Sequence, residues 1–277
     1  MIATWVIRII SLAASLAIGS ASAKEIQLFQ SNGNPRTDYV SSLHGVDSGD
    51  VLIFSDGSRH KILKRLGCGG TTCVFGLSDH PGLALRIPSS DGYLDGDGPL
   101  IQGFIDQFVD GKAELQRSGV PSVELHRFRS GEYAVVDRVE SVTRLDQFFA
   151  DPYRFSEASR KQLAADLINF AEKTAPFESI GDFKADQLHY VNGKGWILID
   201  WTDRHRLRGD SIGNVFDLMF TDKQSPVRGF YNGLSKRALF VQNVRRAVNK
   251  AITLKRTESR GGRCGLLIKR ALFDLTH

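Results

Sequence analysis

Two carboxylates mark the ends of one short segment, SIGDFKADQLHYVNGKGWILIDWTD, running from Ser179 to Asp203. Asp182 follows a helical stretch in a turn, with Lys184 two residues on. Asp200 closes an apolar run, and Gln187 lies between the two acids. Further upstream, Leu66-Gly67-Cys68-Gly69-Gly70-Thr71-Thr72-Cys73-Val74 interrupts a strand pattern. Glycines there let the backbone come close to phosphates. Arg86 follows on the next strand, where a cation can reach a phosphate, and Glu114 sits in the helix after it, where a carboxylate can brace that cation. Each feature alone has an ordinary reading: a Gly-rich hairpin, two turn acids, a solvated helical glutamate. Their order and joint spacing point to phosphate chemistry.

The elements that must position these residues change character along the chain. Lys24 to Gly49 is polar and turn-rich and reads as a loosely held arm. Val51–Phe54, His60–Leu66, Thr72–Leu77 and Leu83–Ile87 read as strands, the first two around a Ser-Asp-Gly-Ser turn. Ser89 to Gly98 reads as a mobile loop. From Pro99 to Arg117 the apolar residues fall at helical spacing, and Gly119-Val120-Pro121 stops them. Strands follow at Val123–Phe128 and Tyr133–Val139. Leu145–Ala150 and Ser156–Ala175 are predicted helices, the second capped by Ser156. His189–Val191 and Trp196–Ile199 form a strand pair around Asn192-Gly193. The chain is mostly helical from Ile212 on. The expected class is therefore α+β: a strand-rich half, 50–141, with one helix, and a helix-rich half, 142–277.

The motif order resembles the protein-kinase family. Gly67-x-Gly69-x-x-Thr72-x-Val74 looks like its glycine loop, with threonine for the third glycine. Ala84-Leu85-Arg86 looks like the strand bearing the phosphate-binding lysine, here an arginine. Glu114 fits the helix glutamate. Ile180 to Gln187 looks like the catalytic loop, and Ile199-Asp200-Trp201-Thr202 the metal-binding motif. The resemblance runs from Val51 to about Phe220. It implies a bilobal fold with a small strand-rich lobe and a helical lobe, using ATP and magnesium. Asp182 would orient the attacking hydroxyl and Lys184 would neutralise the transferred phosphate. Asp200 and Gln187 would hold the metal, and Gly67, Gly69, Gly70, Val74, Arg86 and Glu114 would hold the nucleotide. The Asp-x-Lys pair leans toward Ser/Thr protein kinases, and no long activation segment follows Asp200. Arg86 for lysine, Gln187 for asparagine, Ile180 for histidine and Trp201-Thr202 for Phe-Gly depart from the pattern. Arginine is planar and bidentate where lysine is a point charge. The implied activity is phosphoryl transfer to a protein. The alternative is a pseudokinase serving as a nucleotide-binding or scaffolding module, with a small-molecule kinase a weaker third.

Residues 1–23 read as an export signal: Arg8, an apolar run from Ile9 to Gly19, then Ala21-Ser22-Ala23. The apolar run is short for a membrane span; an uncleaved anchor is the alternative. The expected location is periplasmic or secreted, a host included. The three cysteines then enter a compartment that permits disulfides. Cys68 and Cys73 flank the glycine turn and are predicted either to pair or to remain small thiols. No Cys-x-x-Cys or His-Glu-x-x-His spacing is present, which argues against a structural zinc site or a zincin. Lys and Arg total 36 against 31 acids, and between Lys236 and Arg270 the one acid is Glu258. That basic end would meet an acidic partner or an anionic membrane, or is simply a solvated helix face. No specific nucleic-acid signal accompanies it.

Overall fold

The computed structural model describes residues 23–69, 71–89, 100–201, 204–206, 213–222 and 225–259. The export signal up to its last residue, Gly70, most of the loop after Ser89, Thr202, Cys264 and the C-terminal end lie outside the described residues. The described chain is mixed α+β, with one curled seven-stranded sheet and seven helices.

The sheet contains β1 (Glu25–Gln27), β2 (Val51–Ile53), β3 (Arg59–Cys68), β4 (Thr72–Leu77), β5 (Leu83–Pro88), β6 (Leu125–Arg129) and β7 (Tyr133–Asp137), in the order β1-β2-β3-β4-β5-β7-β6. Every pairing is antiparallel except β1 with β2. Side chains alternate across a strand, and this alternation sorts the sheet into two cores. Cys73, Phe75, Leu85, Ile87, Tyr133 and Val135 bury into one core. Ala84, Ala134 and Val136 face the other, with Ile105 and Phe108 of α2 (Leu100–Arg117). Thr72, Val74 and Arg86 therefore share the face toward α2, and Val74 lies directly opposite Arg86.

The N-terminal segment corrects an expectation. Residues 24–49 are not a loose arm. Leu28 and Phe29 are fully buried, and α1 (Tyr39–His44) buries Tyr39 and Leu43 in the same core. The Tyr39 hydroxyl donates to the Pro88 carbonyl at 2.6 Å. The lapse has a physical cause. Parallel pairing with a strand 26 positions later (Glu25 with Val51) leaves no local hairpin signal, and widely spaced apolar residues show no short period.

The remainder contains β8 (Thr143–Arg144), α3 (Leu145–Ala150), α4 (Glu157–Lys173), β9 (Phe177–Ile180), β10 (Leu188–Val191), β11 (Gly195–Leu198), β12 (Arg204–Arg206), α5 (Asp217–Thr221), α6 (Pro226–Phe230) and α7 (Lys236–Ser259). Ser156 caps α4 as expected, its hydroxyl accepting the Ser159 N–H at 3.2 Å. Helix α7 buries Ala238, Val241, Val244, Val248 and Ile252 along one stripe and packs on α4. The Trp196 indole N–H donates to the Leu163 carbonyl at 2.8 Å, fastening β11 to α4. The sheet face with Arg86 and the strand pair β10–β11 are thereby joined through one shared apolar core.

Candidate functional site

Asp182 and Lys184 occupy the turn that follows β9. Phe183 between them is buried and meets Phe216 edge-on, ring centroids 4.9 Å apart. Burying the middle residue of a turn drives its two neighbours outward. Asp182 has φ of 57°, the one positive value for a non-glycine among the described residues. Aspartate tolerates that conformation better than most residues, and holding it costs on the order of 1 kcal/mol. The Lys184 ammonium pairs with Asp182 Oδ1, and that hydrogen-bonded carboxylate raises the lysine above its ordinary pKa.

A short 3₁₀ turn, Ala185–Gln187, carries the chain into β10. The Gln187 carbonyl accepts the Ile199 N–H at 3.0 Å, tying this loop to the residue before Asp200. β9 also pairs with β12, so both flanks of the Asp200 segment are stitched to the Asp182 loop. The two acids of the sequence motif are thus drawn into one region by backbone bonds.

Arg86 completes the other side. Its Nη2 donates to Asp200 Oδ1 at 2.6 Å and to the Thr72 hydroxyl at 3.2 Å, and its Nη1 donates to the Ile199 carbonyl at 3.1 Å. The guanidinium lies over the Phe108 ring, 4.3 Å from its centroid. Phe108 in turn stacks on Trp201, centroids also 4.3 Å apart, and the Trp201 indole N–H donates to the Phe108 carbonyl at 3.0 Å. Arg86 is only 5 % exposed. A cation–π contact and a carboxylate partner together compensate a charge so far out of water.

Glu114 does not brace Arg86, a second correction. It accepts from Arg206 Nε at 2.7 Å instead. Phe108 is the α2 residue that faces Arg86. Glu114 follows six residues later, about 240° around the helix and about 9 Å along it, so α2 cannot offer both side chains to one point. Phe108, Thr72 and Trp201 are the site residues that sequence reasoning missed. Thr72 and Trp201 occupied motif positions but registered only as replacements. Phe108 carried the helical apolar signal alone.

The glycine turn joins β3 and β4, closed by the Gly69 N–H on the Thr72 carbonyl at 2.9 Å and by a disulfide between Cys68 and Cys73, whose Cα atoms are 4.0 Å apart. Val74 leaves the turn on the Arg86 face. Added Cβ atoms would meet nothing within 4 Å at Gly67, and only the Thr72 carbonyl at 4.0 Å at Gly69. The backbone there is open to an approaching group. The Arg86 Nε–H is buried without a hydrogen-bond partner. Open glycines and an orphaned buried donor fit an anionic oxygen, as a nucleotide phosphate would supply. A magnesium ion would meet Asp200 with one carboxylate oxygen already committed. Asp200 Oδ1 already accepts from Arg86 and from the Trp201 N–H at 2.9 Å, so a dication would have to share the carboxylate with a guanidinium. Gln187 reaches this point through its backbone.

Below the Asp182 loop opens a cleft of 850 Å³. Its walls include Asp182 and Lys184 but neither Arg86 nor Asp200. The site thus has a closed half against the sheet and an open half against α5 and α6. No protein-family model and no curated protein matches the sequence.

Proposed function

We propose that the chain has a bilobal protein kinase-like fold, with β1–β7 and α2 as the small lobe. In this reading it is an exported phosphotransferase that moves a phosphoryl group from ATP to a Ser or Thr hydroxyl of a protein. The observation that carries the reading is the placement of the Asp182–Lys184 pair. It lines an open cleft, on a loop whose Gln187 carbonyl accepts the N–H of Ile199, the residue before Asp200, which in turn accepts from Arg86. Phosphoryl transfer needs positioning and charge neutralisation more than covalent help. Asp182 orients the hydroxyl and receives its proton as the new oxygen–phosphorus bond forms and the β–γ bridge breaks. Lys184 offsets charge on the moving phosphoryl group. Arg86 offers its unpartnered Nε–H to a phosphate, and the open backbone at Gly67 and Gly69 admits it. The Cys68–Cys73 disulfide agrees with an oxidising compartment.

A second reading, a pseudokinase that binds nucleotide or a partner without turnover, is favoured by one observation: Asp200 already has a cationic partner from within the fold, Arg86. Nucleotide titration with and without magnesium, followed by radiolabelled phosphate transfer in wild type and Asp200→Ala, separates the two. Transfer abolished by Asp200→Ala, in a variant that keeps the wild-type circular dichroism, supports the enzyme. Nucleotide binding without transfer to any protein supports the pseudokinase, and no binding at all removes both nucleotide readings. Arg86→Lys is the companion variant, since a gain in activity would mark arginine as an impaired replacement.

A further inference from the structure

The open cleft has a composition unlike the chain around it. The protein as a whole carries a formal charge of +5. The described residues lining the cleft include six carboxylates, Asp146, Glu178, Asp182, Asp186, Asp217 and Asp222, against two fixed cations, Arg144 and Lys184. Both cations are already engaged within the wall. Arg144 donates to Asp146 at 3.1 and 2.8 Å, and Lys184 pairs with Asp182. Among the described lining residues carboxylates therefore outnumber cations, next to the residue proposed to meet the hydroxyl.

The same wall has an apolar step. Leu218 on α5 is 67 % exposed, although its neighbours Met219 and Phe220 are buried. Val215, Met219 and Pro226 line the cleft beside it. Leu218 therefore gives the acid-lined groove an exposed apolar side chain that a partner could cover. Charge complementarity selects the partner: anionic lipid and nucleic acid are repelled, and a cationic chain is attracted and held in register.

We infer that this cleft takes a basic, hydroxyl-bearing peptide segment of a second protein. Its Lys or Arg side chains meet the acidic rim, and an apolar neighbour seats on Leu218 and Pro226. The inference rests on the phosphotransferase reading and names its substrate class. It also has a readout independent of transfer.

The experiment is fluorescence anisotropy on the full chain with two labelled serine peptides that share one leucine. One carries arginines at its flanking positions and the other carries glutamates. The arginine peptide is expected to bind at least about tenfold more tightly at low salt, with the advantage shrinking as salt rises. The double variant Glu178→Lys with Asp186→Lys should abolish the preference, and Leu218→Asp should weaken arginine-peptide binding, while circular dichroism and nucleotide affinity stay at wild-type values. Equal affinity for the two peptides, or an unchanged preference in the double variant, would overturn the inference. So would self-association lost in Leu218→Asp with neither peptide bound, which would assign the cleft to a second copy of the chain. Arginine-peptide binding with no transfer to it leaves the inference standing and removes the phosphotransferase reading. Transfer to both peptides alike removes the inference and keeps the enzyme.

Discussion

Two ion pairs of the same chemical kind lie on opposite sides of the site and behave as opposites. Arg86 and Asp200 have side chains 6 % and 22 % exposed, and the arginine adds a ring contact and two further hydrogen bonds. Lys184 and Asp182 are 64 % and 29 % exposed and sit on a turn. Water screens the second pair and lets it open at little cost. The first pair cannot open without stranding a charge in the interior. One site therefore combines a buried cation–carboxylate brace with an exposed one, and residue type alone does not say which is which. Burial decides it.

The largest test of this contrast is Arg86→Gln. It leaves Asp200 half-buried without its cation and should lower unfolding free energy by about 3–5 kcal/mol in a urea titration. A loss under about 1 kcal/mol would mean that the pair is no more than a surface contact.

Next comes a pH effect from the sheet side. Burial first, and the Arg127 charge second, push His60 down to about 4. Arg127 Nη2 lies 2.9 Å from His60 Nε2, a geometry that needs the neutral ring. The unfolded histidine titrates near 6.5. This contribution is therefore fully present above pH 6.5 and is lost as pH falls toward about 4, by up to about 3 kcal/mol. Chemical denaturation at a series of pH values in wild type and His60→Gln checks it; an identical slope in the variant would assign the effect to other groups.

Glu114→Gln should cost less than about 1 kcal/mol, because the Arg206 partner is half exposed. It should also leave nucleotide affinity unchanged. A loss of affinity matching that of Arg86→Gln would restore the bracing role that the geometry denies.

The smallest effect on stability belongs to the open pair. Asp182→Asn keeps a side chain suited to positive φ and should shift stability by no more than about 0.5 kcal/mol. Transfer should fall about a thousandfold if Asp182 orients the hydroxyl. A variant with wild-type stability and wild-type transfer would remove Asp182 from the mechanism.

Much of this architecture was legible before the structure. The strands and helices around the glycine turn, α2, α4 and the β10–β11 pair begin and end within two residues of their expected bounds. Apolar period and turn chemistry act over a few residues, so a local reading reaches them. Strand alternation also puts Thr72 and Val74 on one face of β4; the register that sets Arg86 opposite Val74 came from the structure. The short strands β1, β8, β9 and β12 escaped, since each is defined by a partner distant in sequence rather than by its own pattern.

The linear order of residues was enough to specify the motif set and its spacing: Gly67, Gly69, Arg86, Asp182, Lys184 and Asp200 each stand where a local rule puts them. Tertiary structure alone chose the partners. It gave Arg86 to Asp200 across 114 positions of sequence and Glu114 to Arg206 across 92. It buried residues 24–49 in the core and set Leu218 among carboxylates. Partner choice and burial depend on how a helix is rotated and how deep a face lies, and neither quantity is encoded in any short window of the chain.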